Sequence, residues 1–122
     1  MQLAITELTT PCLTRRRGRL AAEALLSRDD GDEIHLLLNG VEFLSLSFLD
    51  EFIFGLEKDG MLGRALFVTA KPQHLAKLAR VSEIRNVEIR RMIDGRREVI
   101  EPKPGPKLTK MPAGQDPPKG LE

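Results

Sequence analysis

Short apolar segments alternate with amphipathic ones along the first hundred residues, and this alternation limits the possible folds more than any other feature. The stretch Leu3–Leu8 alternates apolar and polar residues, as a half-buried strand does. The runs at Ile34–Leu38 and Arg64–Ala70 are nearly continuous in apolar residues, which is typical of strands covered on both faces. Three helices are predicted between and after these strands. The order therefore predicts an α/β fold, with a sheet packed against helices.

The predicted helices have recognisable starts and apolar faces. Thr14 can cap a first helix of about a dozen residues, and Pro72 can open the third. The second is predicted to begin near Ser47. The inward residues of the three helices are predicted to be Leu20, Ala21, Ala24 and Leu25; Phe48, Leu49, Phe52, Ile53 and Leu56; and Leu75, Leu78 and Ala79.

The region after the third helix has two readings. Val87 and Ile89 alternate with polar residues, which favours a strand over Asn86–Ile93. Asp94-Gly95 would then join it to a second strand as a hairpin. The alternative is a helix across residues 82–92.

The composition limits the number of domains and indicates the cellular compartment. The 122 residues suffice for one domain, residues 1–101, and six of the eight prolines fall in residues 102–122, which predicts a disordered or extended tail. No apolar run approaches the roughly 20 residues that span a bilayer. Cys12 is the sole cysteine, which fits a reducing cytoplasm. A net charge of +1 and the lack of Trp and Tyr disfavour binding to nucleic acid or acidic membranes.

Residues 40–56, "GVEFLSLSFLDEFIFGL", place hydroxyls and acids at the mouth of the most apolar helix. Ser47 can be its N-cap, with Asp50 closing a capping box, and Asp50 and Glu51 favour the helix dipole. The competing interpretation makes Ser47 a phosphoacceptor. Helix-start amides favour a phosphate, whereas the two acids would repel it.

This stretch resembles the STAS family (sulfate transporter and anti-sigma-factor-antagonist domains). In that family an apolar strand leads through a turn into a "DSSGLG"-type loop at a helix start, and "LLLNGVEFLSLSFLDEF" has the same layout. It is similar above all to STAS-like domains of unknown function, which carry a serine-phenylalanine step before an acidic pair, as at Ser47, Phe48, Asp50 and Glu51, and a Ser/Thr-Arg step at the first helix, as at Thr14-Arg15. Ser45, Leu46 and Phe48 replace the aspartate, first serine and glycine of the STAS motif.

The resemblance implies a mixed sheet of about four to five strands packed against about three helices. It also implies a non-enzymatic regulatory module of bacterial signalling that binds a protein partner, such as a serine-kinase-type ATPase or a sigma-factor regulator. Ser47 would be the phosphoacceptor that controls binding. The residues expected to contact the partner are Ser45, Phe48, Asp50 and Glu51.

Four arginines crowd the start of the first predicted helix, where the helix dipole disfavours cations: Arg15, Arg16, Arg17 and Arg19. They predict either an anion-binding or docking patch, or a solvated face balanced by the acids of "RDDGDE" at residues 28–33. A second basic cluster comprises Arg85, Arg90, Arg91, Arg96 and Arg97. If the two clusters converge, a nucleic-acid-binding accessory protein becomes an alternative function.

The sequence lacks a phosphate-binding Walker loop, a dinucleotide fingerprint, a nucleophile elbow and a zinc-protease motif. His35, His74 and Cys12 have no partners at metal-ligand spacing. We therefore expect no enzyme activity, metal or cofactor. A further alternative is a structural subunit whose apolar second helix faces another chain.

Overall fold

A computed structural model describes residues 1–102 as a five-stranded mixed sheet. The strands run in sequence order across it, and the first four are parallel, whereas the fifth is antiparallel to the fourth. One row across the parallel strands joins Leu3, Leu36, Phe67 and Arg91. The strands are β1 Gln2–Ala4, β2 Ile34–Leu37, β3 Ala65–Val68, β4 Ile89–Ile93 and β5 Arg96–Ile100.

Three helices connect the parallel strands: α1 Arg15–Arg28, α2 Leu46–Lys58 and α3 Pro72–Arg85. α1 packs against α2, and α2 packs against α3. Right-handed connections between successive parallel neighbours place such helices on one face of the sheet. The predicted α/β class, with about three helices against a mixed sheet, is confirmed.

The apolar stripe of α2 fills the centre of the core. Phe48 and Phe52 are fully buried, with ring centroids 5.9 Å apart, and Phe52 meets Phe67 of β3 edge-on at 6.2 Å. Leu49, Ile53 and Leu56 are equally buried. Because this face is covered within the chain, the apolar stripe of α2 is not available to a second chain, which removes the surface that the structural-subunit alternative requires.

The inward face of α1 differs from the prediction. Ala21 and Leu25 are buried as expected, but Leu20 is 37% exposed and Ala24 is half-buried. Gly18 and Ala22 face the core instead. A Cβ atom on Gly18 would lie 2.4 Å from the Phe48 carbonyl oxygen, so the two backbones approach more closely than any side chain allows.

Other predictions are corrected at the level of single segments. Ile5–Glu7 form a 3-10 helix rather than the second half of a strand. β2 is less enclosed than predicted, since His35 and Leu37 on one face are half-buried, whereas in β3 only Val68 is half-buried and Leu66 on the same face is fully buried. The hairpin is confirmed, with Asp94 and Gly95 both at positive φ.

α3 ends at Arg85 with Asn86 in the left-handed conformation, so the helix reading of residues 82–92 is wrong. Within residues 1–102, no helix is both long and apolar enough to cross a membrane. The prediction for the proline-rich tail falls on residues 102–122, and all but Pro102 lie outside the described residues.

Candidate functional site

The start of α2 is capped by Ser45, so the prediction that Ser47 is the N-cap is wrong. The Ser45 hydroxyl accepts a hydrogen bond from the Phe48 amide at 3.0 Å and donates one to the Leu13 carbonyl at 2.7 Å. The Ser45 amide also donates to the Cys12 carbonyl at 3.0 Å. These contacts with the loop before α1 hold residue 45 extended and start the helix two residues earlier than predicted.

Ser47 lies in the first turn of α2 with its side chain exposed. The other residues predicted for docking are more enclosed. Phe48 and Asp50 are buried, whereas Ser45 and Glu51 are half-buried. In this conformation neither Phe48 nor Asp50 can contact a partner, which corrects their predicted role as surface residues.

Asp50 joins three helices through two arginines. Its carboxylate accepts hydrogen bonds from Arg15 of α1 at 2.7 Å and from Arg85 of α3 at 2.7 and 3.0 Å. The Asp50 side chain is 6% exposed. The hydrogen bonds from Arg85 hold the pKa of the Asp50 carboxyl below its usual value, against the opposing effect of burial, and Arg15 adds to the lowering. Asp50 therefore pairs with arginines and does not close a capping box with Ser47.

Four residues form a line along one side of α2, which we call the outer stripe although Asp50 within it is buried: Ser47, Asp50, Glu51 and Phe54. Their spacing of three and four residues puts them on one side of the helix. Arg15 and Arg19 reach Glu51 at 3.8 and 3.6 Å. The Arg85 guanidinium lies 4.7 Å from the centre of the Phe54 ring.

One arginine of each basic cluster meets at Asp50, namely Arg15 and Arg85, whereas the rest of the second cluster pairs with Glu33 and Glu98. Within residues 1–102 every arginine except Arg16 and Arg17 pairs with an acid. Arg15 and Arg19 are balanced by Asp50 and Glu51 and not by "RDDGDE", whose Asp29 binds Arg64 instead. Sequence reasoning missed these pairs because Asp50 and each of its arginines are 35 residues apart.

Two exposed apolar side chains flank the start of α2: Phe43, 70% exposed, and Leu13, 45% exposed. Together with Glu42 they line two neighbouring cavities of about 230 and 430 Å³. We call Leu13, Glu42 and Phe43 the loop surface. It lies beyond the carboxyl ends of β1 and β2. The sequence signal that could have identified this surface is Phe43, a single aromatic residue between the Asn39-Gly40 turn and Ser45.

The remaining polar candidates are enclosed. His74 is fully buried, its Nδ1 lies 2.9 Å from the Thr69 hydroxyl, and burial lowers its pKa. Burial raises the pKa of the Cys12 thiol, which makes the thiolate scarce. Among residues 1–102 no group of three or more His, Cys, Asp and Glu side chains is placed to hold a metal ion.

A scan against protein-family models and searches of curated proteins and of solved structures found no match to this chain. The STAS-like resemblance consequently remains a prediction.

Proposed function

We propose that this chain is a STAS-like protein-interaction module of a regulatory switch, in which phosphorylation of Ser47 controls partner binding. The observation that supports this most is that Ser45 and Ser47 have different structural roles. Ser45 caps α2, so Ser47 is exposed in the first turn without that structural duty. An exposed hydroxyl at a helix start is accessible to a kinase.

The loop surface supplies the apolar part of the proposed docking site. Phe43 projects beside the cap that Ser45 makes, and Leu13 is tied to the same cap through its carbonyl. Exposed aromatic residues are enriched where proteins bind proteins. The cavities on either side of Phe43 offer space for side chains of the partner.

The electrostatics of the outer stripe favour a phosphate more than the sequence suggests. Asp50 and Glu51 alone would repel it, but arginines from α1 and α3 already compensate both carboxylates. A phosphate of nearly two negative charges on Ser47 would therefore sit among paired charges.

By the family resemblance, the partner is a serine-kinase-type ATPase or a sigma-factor regulator, and the module works in the cytoplasm without catalysing a reaction. Nucleic acid is a weaker candidate. Only Arg16 and Arg17, of the arginines in residues 1–102, are left without a carboxylate to meet phosphates.

Affinity capture from extracts of the native host tests the proposal. The wild-type protein should recover a kinase-like ATPase or sigma regulator. Phe43→Asp should lose it, since a charge in the loop surface opposes apolar contact. Leu26→Asp is the matched control. Leu26 is 46% exposed and lies near the C-terminal end of α1, whereas Leu13 of the loop surface precedes the start of that helix. Recovery of RNA alone, lost as salt is raised, would contradict the proposal.

A further inference from the structure

We propose that, when Ser47 is phosphorylated, Arg15 releases the Asp50 carboxylate and binds the phosphate. This inference rests on the proposed function and specifies how the same site is regulated. Its test below needs neither the kinase nor the partner.

The outer stripe places Ser47 one helical turn before the two carboxylates that Arg15 contacts. Asp50 and Glu51 lie three and four residues after Ser47, and so flank its position one turn along the helix. Arg15 bonds Asp50 Oδ2 at 2.7 Å and approaches Glu51 Oε1 at 3.8 Å. A guanidinium that reaches both carboxylates lies on the side of α2 that also carries Ser47, about one helical turn from it.

Arg15 is also the arginine that Asp50 can lose most easily. It gives Asp50 one hydrogen bond, and its side chain is 53% exposed. Arg85 gives two, stacks on Phe54, and is 29% exposed. When Arg15 leaves, Asp50 keeps the Arg85 guanidinium, so the exchange does not strand a buried charge.

The covalent step is ordinary phosphoryl transfer. With a nucleoside triphosphate bound to the partner kinase, the Ser47 oxygen forms a bond to the γ-phosphorus. The bond from that phosphorus to the nucleoside diphosphate breaks, the diphosphate leaves, and the hydroxyl proton passes to a base of the kinase. The product carries three acceptor oxygens, which suit a guanidinium better than the one carboxylate oxygen that Arg15 now holds.

Arg15 lies close in sequence to the loop surface. Arg15 is the first residue of α1, directly after the Thr14 cap. Leu13 precedes Thr14, and its carbonyl receives the Ser45 hydroxyl. Arg15 therefore lies two residues from Leu13, in the segment that Ser45 holds in place.

The test uses full-length protein with phosphoserine incorporated at position 47 during synthesis. Phosphorus NMR follows the titration of the phosphate. Arg15 should stabilise the dianion, so Arg15→Ala should move the midpoint to higher pH, and Arg15→Lys should restore part of the shift. Arg16→Ala is the control, since Arg16 is in the same turn and makes no ion pair within residues 1–102.

Equal midpoints in the wild-type protein and Arg15→Ala would overturn the inference, as would equal shifts in Arg15→Ala and Arg16→Ala. Circular dichroism establishes that each variant is folded, and Arg15→Lys gives the comparison if the alanine variant is not. A kinase that never modifies Ser47 would defeat the proposed function and leave this titration unchanged, so the two failures are distinguishable.

Discussion

Asp50 on α2 receives two hydrogen bonds from the Arg85 guanidinium on α3, at 2.7 and 3.0 Å, in a site where 6% of the Asp50 side chain is exposed. Arg15 adds a third bond from α1. One carboxylate therefore links all three helices of the domain, and its loss should affect the whole packed layer.

Asp50→Asn should lower the free energy of unfolding by about 2–4 kcal/mol, because it leaves two arginines without their countercharge in a partly buried site. Urea denaturation measures this. Glu57→Gln is the control on the same helix, since Glu57 is exposed and should change stability by less than about 0.5 kcal/mol. Equal effects from both variants would contradict the conclusion that Asp50 links the three helices.

The stability that Asp50 contributes should depend on pH. Its pKa in the folded protein is lower than in the unfolded chain, so the contribution is complete above about pH 4 and disappears as pH falls through the folded pKa. Unfolding of the wild-type protein and Asp50→Asn should therefore be compared at neutral pH and at about pH 3. The difference between them should shrink at the lower pH, and a constant difference would contradict this prediction.

Gly18→Ala should destabilise the protein by about 1–3 kcal/mol, although alanine favours helices more than glycine does. The added Cβ would lie 2.4 Å from the Phe48 carbonyl oxygen. This is a backbone atom, so the contact cannot be relieved by a change of side-chain rotamer. Gly63→Ala is the control, because no atom lies within 4 Å of its added Cβ. Thermal unfolding of the pair checks the close approach of α1 and α2.

Substitution of Ser45 and of Ser47 by alanine should have different effects on the free energy of unfolding. Ser45→Ala removes the cap and the bond to Leu13, and should cost about 1 kcal/mol. Ser47→Ala should stay within about 0.5 kcal/mol of the wild-type protein, since its side chain is exposed. Denaturant unfolding of both variants tests the assignment, and the reverse order of effects would restore Ser47 as the cap.

Local signals in the sequence predicted most of the elements. Thr14, Pro72 and Asp94-Gly95 each mark the boundary that their backbone preferences favour. The errors arose where distant residues decide. Both Ser45 and Ser47 could cap a helix, and a bond from the Ser45 amide to Cys12 selects the first.

The same limit applies to the site and to the faces of the elements. Apolar residues in α1 predicted Leu20 as inward, but contact with α2 requires the small Gly18 there. The sequence drew attention to the acids after Ser47, but the arginines that pair with them come from other helices. No local pattern identifies such partners.

Intact mass spectrometry tests the regulatory proposal most directly. The wild-type protein and Ser47→Ala are incubated with ATP and extract of the native host, beside a control substrate that the extract phosphorylates. The proposal predicts that the wild-type protein gains the mass of one phosphate group and that Ser47→Ala gains none. An unmodified wild-type protein, in an extract that modifies the control substrate, would contradict it.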